Sequence, residues 1–431
     1  MERFKRLKQS KLLKFSSLNA INVFIKIGAG VISAKLLALF VGPIGIAFIG
    51  NFRNFMNSLE TMVGLGFQNG IVKYVAEHKE EPKKLAKVIS TLLISLLVTC
   101  FCVSLLLFIF ANTLNRYIFG IANDFVYLFY TLPVLLPFYL AAIYITSIIN
   151  GFGKSKEVLY INIIGNVLAL VITTVLVTNY QIKGALLALI VSPALLFAVT
   201  LFYLNQIFKI KTVIHFKLFE FEIVKVLSQY FLMALVSGVL GPIVALAIRN
   251  HLIEISGLTH GGYWEAMQRI SFYYFMFISV LVSVYYYPQL IEAKNNKETN
   301  AVFWDYYKKV IPVFVGCMIV FFQLKYYLIT FLYSAKFIPV GELFIWQIIG
   351  DVFKSISLIL GMQFFAKKIT KAFIITELIS LAVSYFFSVY FIDNYGYTGV
   401  AMAHTCTYIL YVLVLSIYFR KILFFSKSRI N

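Results

Sequence analysis

The chain of 431 residues is 61% hydrophobic and only 13% charged, with a mean hydropathy of +0.87. Soluble domains carry about 25% charged residues, so this composition excludes a soluble globular protein and marks an integral membrane protein over its whole length. The formal net charge of +20 would suit nucleic acid, but its placement along the chain has a membrane explanation.

A spanning helix needs about 20 apolar residues. The apolar runs predict twelve, at roughly 15–40, 47–75, 88–110, 126–149, 159–178, 184–205, 227–249, 262–289, 308–332, 341–365, 372–392 and 399–419. Continuous runs with little alternation favour helices over a β-barrel. The basic stretch 1–14 does not open a signal peptide: the run after it is too long, contains Lys26 and lacks a small-residue cleavage site. Of the 38 basic side chains, 27 fall in the N-terminus, the tail and every second connection. The opposite connections hold only Arg116, Lys183 and Lys336, and eight lie within the spans. This asymmetry predicts cytoplasmic termini at both ends of an inner-membrane protein.

The sequence repeats weakly at an offset of 215–216 residues. Gly45 to Arg53 aligns with Gly261 to Arg269, and Asn179-Tyr180 before Gly184 aligns with Asn394-Tyr395 before Gly399. Ala188 then falls on Ala403, and with a short indel Lys35 falls on Arg249. These matches predict two six-helix lobes, 1–205 and 226–431, joined by a basic cytoplasmic connection at 206–225. The expected fold is therefore all-α, with twelve transmembrane helices in two lobes around a central cationic cavity.

That cavity is expected because basic side chains interrupt the apolar spans: Lys26, Lys35, Arg53, Lys73, Arg249, Arg269, Lys325 and Lys354. A charge at the bilayer centre costs about 2.5–3.5 kcal/mol on insertion scales, so such groups usually face a bundle interior or water. Four acids, Glu60, Glu265, Asp351 and Glu377, lie at similar depth. Arg53, Asn57, Glu60 and Gly64 form one helix face, and Glu265 with Arg269 has pairing geometry at i,i+4. Asp351 and Lys354, at i,i+3, are either a structural pair or a cargo and proton relay. Glu377 shares a side with Ser380, Ser384 and Ser388 and suits proton coupling, or else a salt bridge to a neighbouring helix. Snorkelling to headgroups is the competing explanation for Lys35, Lys73, Arg249 and Lys325. Lys26 and Lys35 are nine residues apart, so both face one lumen only if the helix bends, with Gly28 and Gly30 as the hinge.

Enzyme signals are missing. There is no phosphate-binding G-x-x-x-x-G-K-[ST] loop, and the outward connections are too short for a catalytic domain. The five histidines show no ligand spacing, and His404, the one deep in a span, reads as a satisfied buried side chain. The four cysteines read as small core hydrophobes. Neither a metal nor a cofactor is expected.

The segments KIGAGVISAKLLALFVGPIGIAFIGNFRN (26–54), NGIVKYVA (69–76), AIRN (247–250) and WQIIGDVFK (346–354) resemble the Wzx-type flippases. The resemblance spans essentially the whole chain. It implies two six-helix lobes and export of an undecaprenyl-pyrophosphate-linked oligosaccharide, an O-antigen or common-antigen repeat unit, to the periplasmic leaflet by alternating access. On its motifs Lys26, Lys35, Arg53, Lys73, Arg249, Asp351 and Lys354 carry over, whereas Arg269 rests on the internal repeat. Lys26, Lys35, Arg53, Arg249, Arg269 and Lys354 are then candidates to bind the diphosphate, with Glu60, Asp351 and Glu377 as candidates for ion coupling. The implied partners are the lipid-linked glycan, membrane lipids, a polysaccharide polymerase and a chain-length regulator, and not nucleic acid. A drug/cation antiporter on the same scaffold is the main alternative, but it would want a cavity dominated by carboxylates. A glycan polymerase or ligase lacks its loop here, and a peptidoglycan lipid flippase would be expected to have fourteen spans.

Overall fold

The structure is a computed structural model that describes residues 2–64, 67–207, 218–228 and 235–424, with side chains from Ile21 onward apart from residue 69 and residues 226–228. Part of the expected cytoplasmic connection (208–217), the start of the expected seventh span (229–234) and the tail beyond 424 lie outside the described residues. Among the described residues every regular element is helical. The chain forms two compact units, Met1–Val41 with Asn51–Val239 and Gly42–Gly50 with Leu240–Asn431.

In the first unit Glu2–Phe40 is one unbroken helix that continues through Gly28 and Gly30. The expected span at 47–75 is two helices, Gly42–Val63 and Gln68–His78, the first closed by Gly64. Pro82–Ile109 runs into a short Ala111–Phe119 helix, which stops at Gly120 (φ 84°). Tyr127–Gly151 buries Leu128, Leu132, Leu136 and Leu140 completely. Their four-residue step sets one continuous core face. Ser155–Ile207 extends for 53 residues. At 1.5 Å per residue that is about 80 Å, more than twice a hydrocarbon core of roughly 30 Å. It breaks where Gln181 leaves helical space (φ 49°, ψ −123°).

The second unit contains Gly241–Ser256, Leu258–Leu281, Asn296–Gln323, Lys325–Leu332, Phe344–Ala366, Thr370–Tyr395 and Gly399–Tyr418. π-turns at Val236–Leu240 and Val282–Tyr286 immediately precede helices carrying Pro242 and Pro288 near their first turn. A wider turn accommodates the ring and the missing N–H of proline. The expected span at 308–332 bends by 75° between Asn296–Gln323 and Lys325–Leu332, at Leu324, with no proline or glycine to mark it.

The internal repeat has a structural counterpart. Asn179 donates to the Val175 carbonyl at 2.7 Å and Asn394 to the Tyr390 carbonyl at 2.7 Å. The backbone then turns at Gln181 (φ 49°) and at Gly396 (φ 62°). A Cβ on Gly184 would sit 1.9 Å from the Leu176 oxygen, and one on Gly399 would sit 2.0 Å from the Phe391 oxygen. Each pair of positions is offset by 215.

Among the described residues eight helical runs are long and apolar enough to cross a bilayer, or nine when the bent pair counts as one span. Two of them, Ser155–Ile207 and Thr370–Tyr418, contain the repeated break.

Candidate functional site

Polar residues in the first unit follow the face expected of the Gly42–Val63 helix. Arg53 and Glu60 are half-buried and Asn57 is exposed. Glu60 accepts a short hydrogen bond from the Tyr139 hydroxyl and a longer one, 3.4 Å, from Gln68 Nε2. The Tyr144 hydroxyl donates to the Gly64 carbonyl at 3.1 Å, so the Tyr127–Gly151 helix serves the end of this stripe. Lys26 is exposed and Lys35 half-buried on the Glu2–Phe40 helix. Lys73 is exposed and lies 3.8 Å from Glu77.

In the second unit the expected Glu265–Arg269 pair forms, with Arg269 Nε 2.9 Å from Glu265 Oε1. The other carboxylate oxygen takes Arg249 Nη2 at 2.6 Å. Arg249 is only 2% exposed and its guanidinium lies 4.9 Å from the Trp264 ring centroid. Gly50 covers the pair, since a Cβ there would meet Arg249 Nη1 at 2.5 Å and Glu265 Oε2 at 2.6 Å. One carboxylate thus bridges two arginines, and Arg249 is closed off from solvent in this conformation.

Asp351 and Lys354 do not pair with each other. Asp351 is fully buried and accepts from Ser271 Oγ (2.6 Å), the Tyr274 hydroxyl, Gln347 Nε2 (3.3 Å) and His404 Nε2 (2.9 Å). An ionised carboxylate offers about four lone-pair sites, and these donors fill them. Lys354 instead lays its ammonium 4.6 Å from the Phe275 ring centroid and 5.6 Å from that of Tyr408. Cation–π contacts of this kind hold a charge in place without neutralising it. The Lys354 side chain lines a cavity of about 440 Å³ with Gln268, Ser271, Phe275, Tyr408 and Tyr411, and no aspartate or glutamate is among its lining residues. Glu377 stands behind Tyr411, whose hydroxyl donates to it at 3.3 Å.

Sequence reasoning missed most of this shell. Gln268, Ser271, Tyr274 and Tyr408 come from helices other than the one carrying Asp351, and single-helix periodicity does not register such partners. His404 is partnered but half-buried rather than buried, and its partner is the candidate carboxylate itself. A faint signal lay in the glycine directly before Asp351: a Cβ on Gly350 would sit 2.4 Å from His404 Cδ2.

The shell can offer one fixed positive charge, several hydroxyl and amide groups and aromatic faces to a ligand. Among the described residues no group of three or more His, Cys, Asp or Glu side chains is placed to hold a metal.

Residues 12–294 match the family described as polysaccharide biosynthesis protein. A lipid III flippase of Escherichia coli (strain K12) is 27% identical over 408 residues, covering 93% of this chain and 96% of that protein. The lipid III flippase of Shigella flexneri gives the same figures. Among solved structures, an inward-facing multidrug resistance MATE family transporter of the MOP superfamily superposes with a TM-score of 0.76 at 14% identity, covering 95% of this chain and 100% of that one. Lipid II flippase MurJ in an inward closed conformation gives 0.71 at 18% identity, covering 96% and 90%. At such identities these structures establish the fold alone.

Proposed function

We propose that this chain, which belongs to the polysaccharide biosynthesis protein family, is a flippase that moves an undecaprenyl-pyrophosphate-linked oligosaccharide from the cytoplasmic to the periplasmic leaflet. The observation that carries the proposal is the sign of the charge inside the apolar helices. Lys354 faces a cavity with no acid in its lining, and a half-buried cation there attracts an anionic ligand. The curated relatives, aligned over 93% of the chain, are named for a lipid-linked cargo.

The finer reading is part of this proposal: twelve spans with a cationic cavity, both termini cytoplasmic in an inner membrane, and alternating access. Lys26, Lys35, Arg53 and Lys354 hold the diphosphate. Arg249 and Arg269 join them only in a conformation that opens the Glu265 clamp. The sugar crosses through water while the prenyl tail stays in lipid. Any ion coupling falls to Glu60 or Glu377, because the four donors around Asp351 leave its carboxylate no room to act as a carrier. An O-antigen or common-antigen repeat unit is the proposed cargo, with a polysaccharide polymerase and a chain-length regulator acting downstream.

A drug/cation antiporter is the rival, since the MATE fold superposes well. A cationic drug requires an accessible carboxylate, and none lines this cavity. Mass spectrometry of lipids from a strain lacking the gene tests the proposal. Accumulation of one undecaprenyl-linked oligosaccharide, cleared by the wild-type gene, supports it; unchanged lipids with altered sensitivity to cationic drugs replace it with the rival.

A further inference from the structure

We infer that Glu265 is an internal counter-anion for Arg249 and Arg269. Its carboxylate holds the place that the cargo diphosphate takes, gives it up when the diphosphate arrives and reclaims it when the cargo leaves. The inference rests on the proposed reading in which both arginines bind that diphosphate.

Arginine keeps its charge at any physiological pH, so an empty carrier must hold both guanidinium groups within apolar helices, where uncompensated charge is costly. Glu265 compensates them between loads. It shares the Leu258–Leu281 helix with Arg269, and its Oε1 accepts from Arg269 Nε at 2.9 Å. Its Oε2 accepts from Nη2 of Arg249, on the Gly241–Ser256 helix, at 2.6 Å. A carboxylate and a phosphate present similar paired oxygens to a guanidinium, so one can replace the other without moving the arginines. The diphosphate carries more charge and more acceptor oxygens, which favours it in the exchange.

The two ends of the clamp differ, and the difference sets the order of exchange. The Arg249 side chain is 2% exposed and that of Arg269 is 27% exposed. Gly50 closes the Arg249 end: a Cβ there would stand 2.5 Å from Arg249 Nη1 and 2.6 Å from Glu265 Oε2, so no anion fits between them. An arriving diphosphate therefore meets Arg269 first, and reaches Arg249 only after the carboxylate has swung away. The Trp264 ring, 4.9 Å from the Arg249 guanidinium, holds that group in place during the exchange.

Diphosphate binding and closure of the Glu265 clamp thus oppose each other, and the opposition is reciprocal. A variant whose residue 265 is a weaker acceptor holds the cargo more tightly, although the fold loses a buried ion pair. A purely structural role for Glu265 predicts the reverse, since a damaged site binds less.

The test uses purified full-length protein in nanodiscs of a zwitterionic phospholipid, with farnesyl pyrophosphate as the probe and calorimetric affinity read at one fixed pH. Glu265→Gln is expected to bind about tenfold tighter than the wild type. Glu254→Gln, at an exposed acid on the helix of Arg249, is expected to leave the affinity unchanged. Arg269→Met added to Glu265→Gln is expected to remove the gain. In the wild type, dicyclohexylcarbodiimide labelling of Glu265, whose side chain is 7% exposed, is expected to rise when the probe is added. An affinity that Glu265→Gln leaves unchanged or lowers, an equal gain in Glu254→Gln, or a gain that survives Arg269→Met overturns the inference while the diphosphate reading stands. Probe binding by neither the wild type nor Glu265→Gln overturns that reading itself. Should Glu265→Gln fail to fold, the labelling decides: Glu265 reactivity that saturating probe leaves unchanged overturns the inference.

Discussion

Glu265 and Arg249 form a buried ion pair in the second unit, Oε2 to Nη2 at 2.6 Å, with Arg249 only 2% exposed. Removing one partner strands the other charge in a dry interior. Glu265→Ala should lower stability by about 3–5 kcal/mol, the range for breaking a buried pair. Arg269→Ala should cost less, because that side chain is 27% exposed. Thermal unfolding in detergent checks the order; a loss for Arg269→Ala equal to that for Glu265→Ala would contradict it.

Gly184 and Gly399 should both refuse a side chain. Alanine would place Cβ within 2.0 Å of a main-chain oxygen eight residues earlier in each case, and only a backbone shift relieves that. Each substitution should destabilise by about 1–3 kcal/mol, as over-packing does. Gly316→Ala, which meets nothing within 4 Å, is the tolerated control. Size-exclusion recovery after heating reads all three.

Asp351→Asn should act on stability before transport. The amide turns an N–H toward a shell of donors and leaves at least one polar group unpaired, at about 1–3 kcal/mol. Glu377→Gln should retain both stability and downhill flipping. If Glu377 couples transport to an ion gradient, only the response to collapsing that gradient disappears. Flipping in vesicles with and without an ionophore distinguishes the two variants.

Glu81, in the connection before Pro82–Ile109, bonds the Lys84 ammonium at 2.8 Å, and that hydrogen bond holds its carboxyl below the ordinary value of 4.5. A depressed carboxyl contributes stability above its unfolded value and loses it as pH falls through the folded one. Glu81→Gln should therefore differ slightly from wild type at neutral pH, and the difference should vanish in acid. Melting curves across that range test the sign; the group is fully exposed, so the effect is small.

The class of the protein, its repeat and one ion pair were legible in the sequence. Composition alone excludes a soluble fold, and the motifs at 26–54 and 346–354 point to the family that the comparison bears out. The Asn-Tyr-x-x-x-Gly spacing marked the break that recurs at Gln181 and Gly396. Glu265 with Arg269 was legible because both sit on one helix. Arg249, His404 and Tyr274 were not, since their partners come from other helices and no spacing within a single helix encodes them. The bend at Leu324 was missed for want of a proline or glycine.

The most direct test of the central claim is flipping itself, measured in proteoliposomes with a fluorescent undecaprenyl-pyrophosphate oligosaccharide and an impermeant quencher. The wild type should carry the lipid from one leaflet to the other, and Arg53→Ala and Lys354→Met should not, although both remain folded. Flipping at the protein-free rate by the wild type, or at the wild-type rate by both variants, would contradict a cationic pathway for a lipid diphosphate.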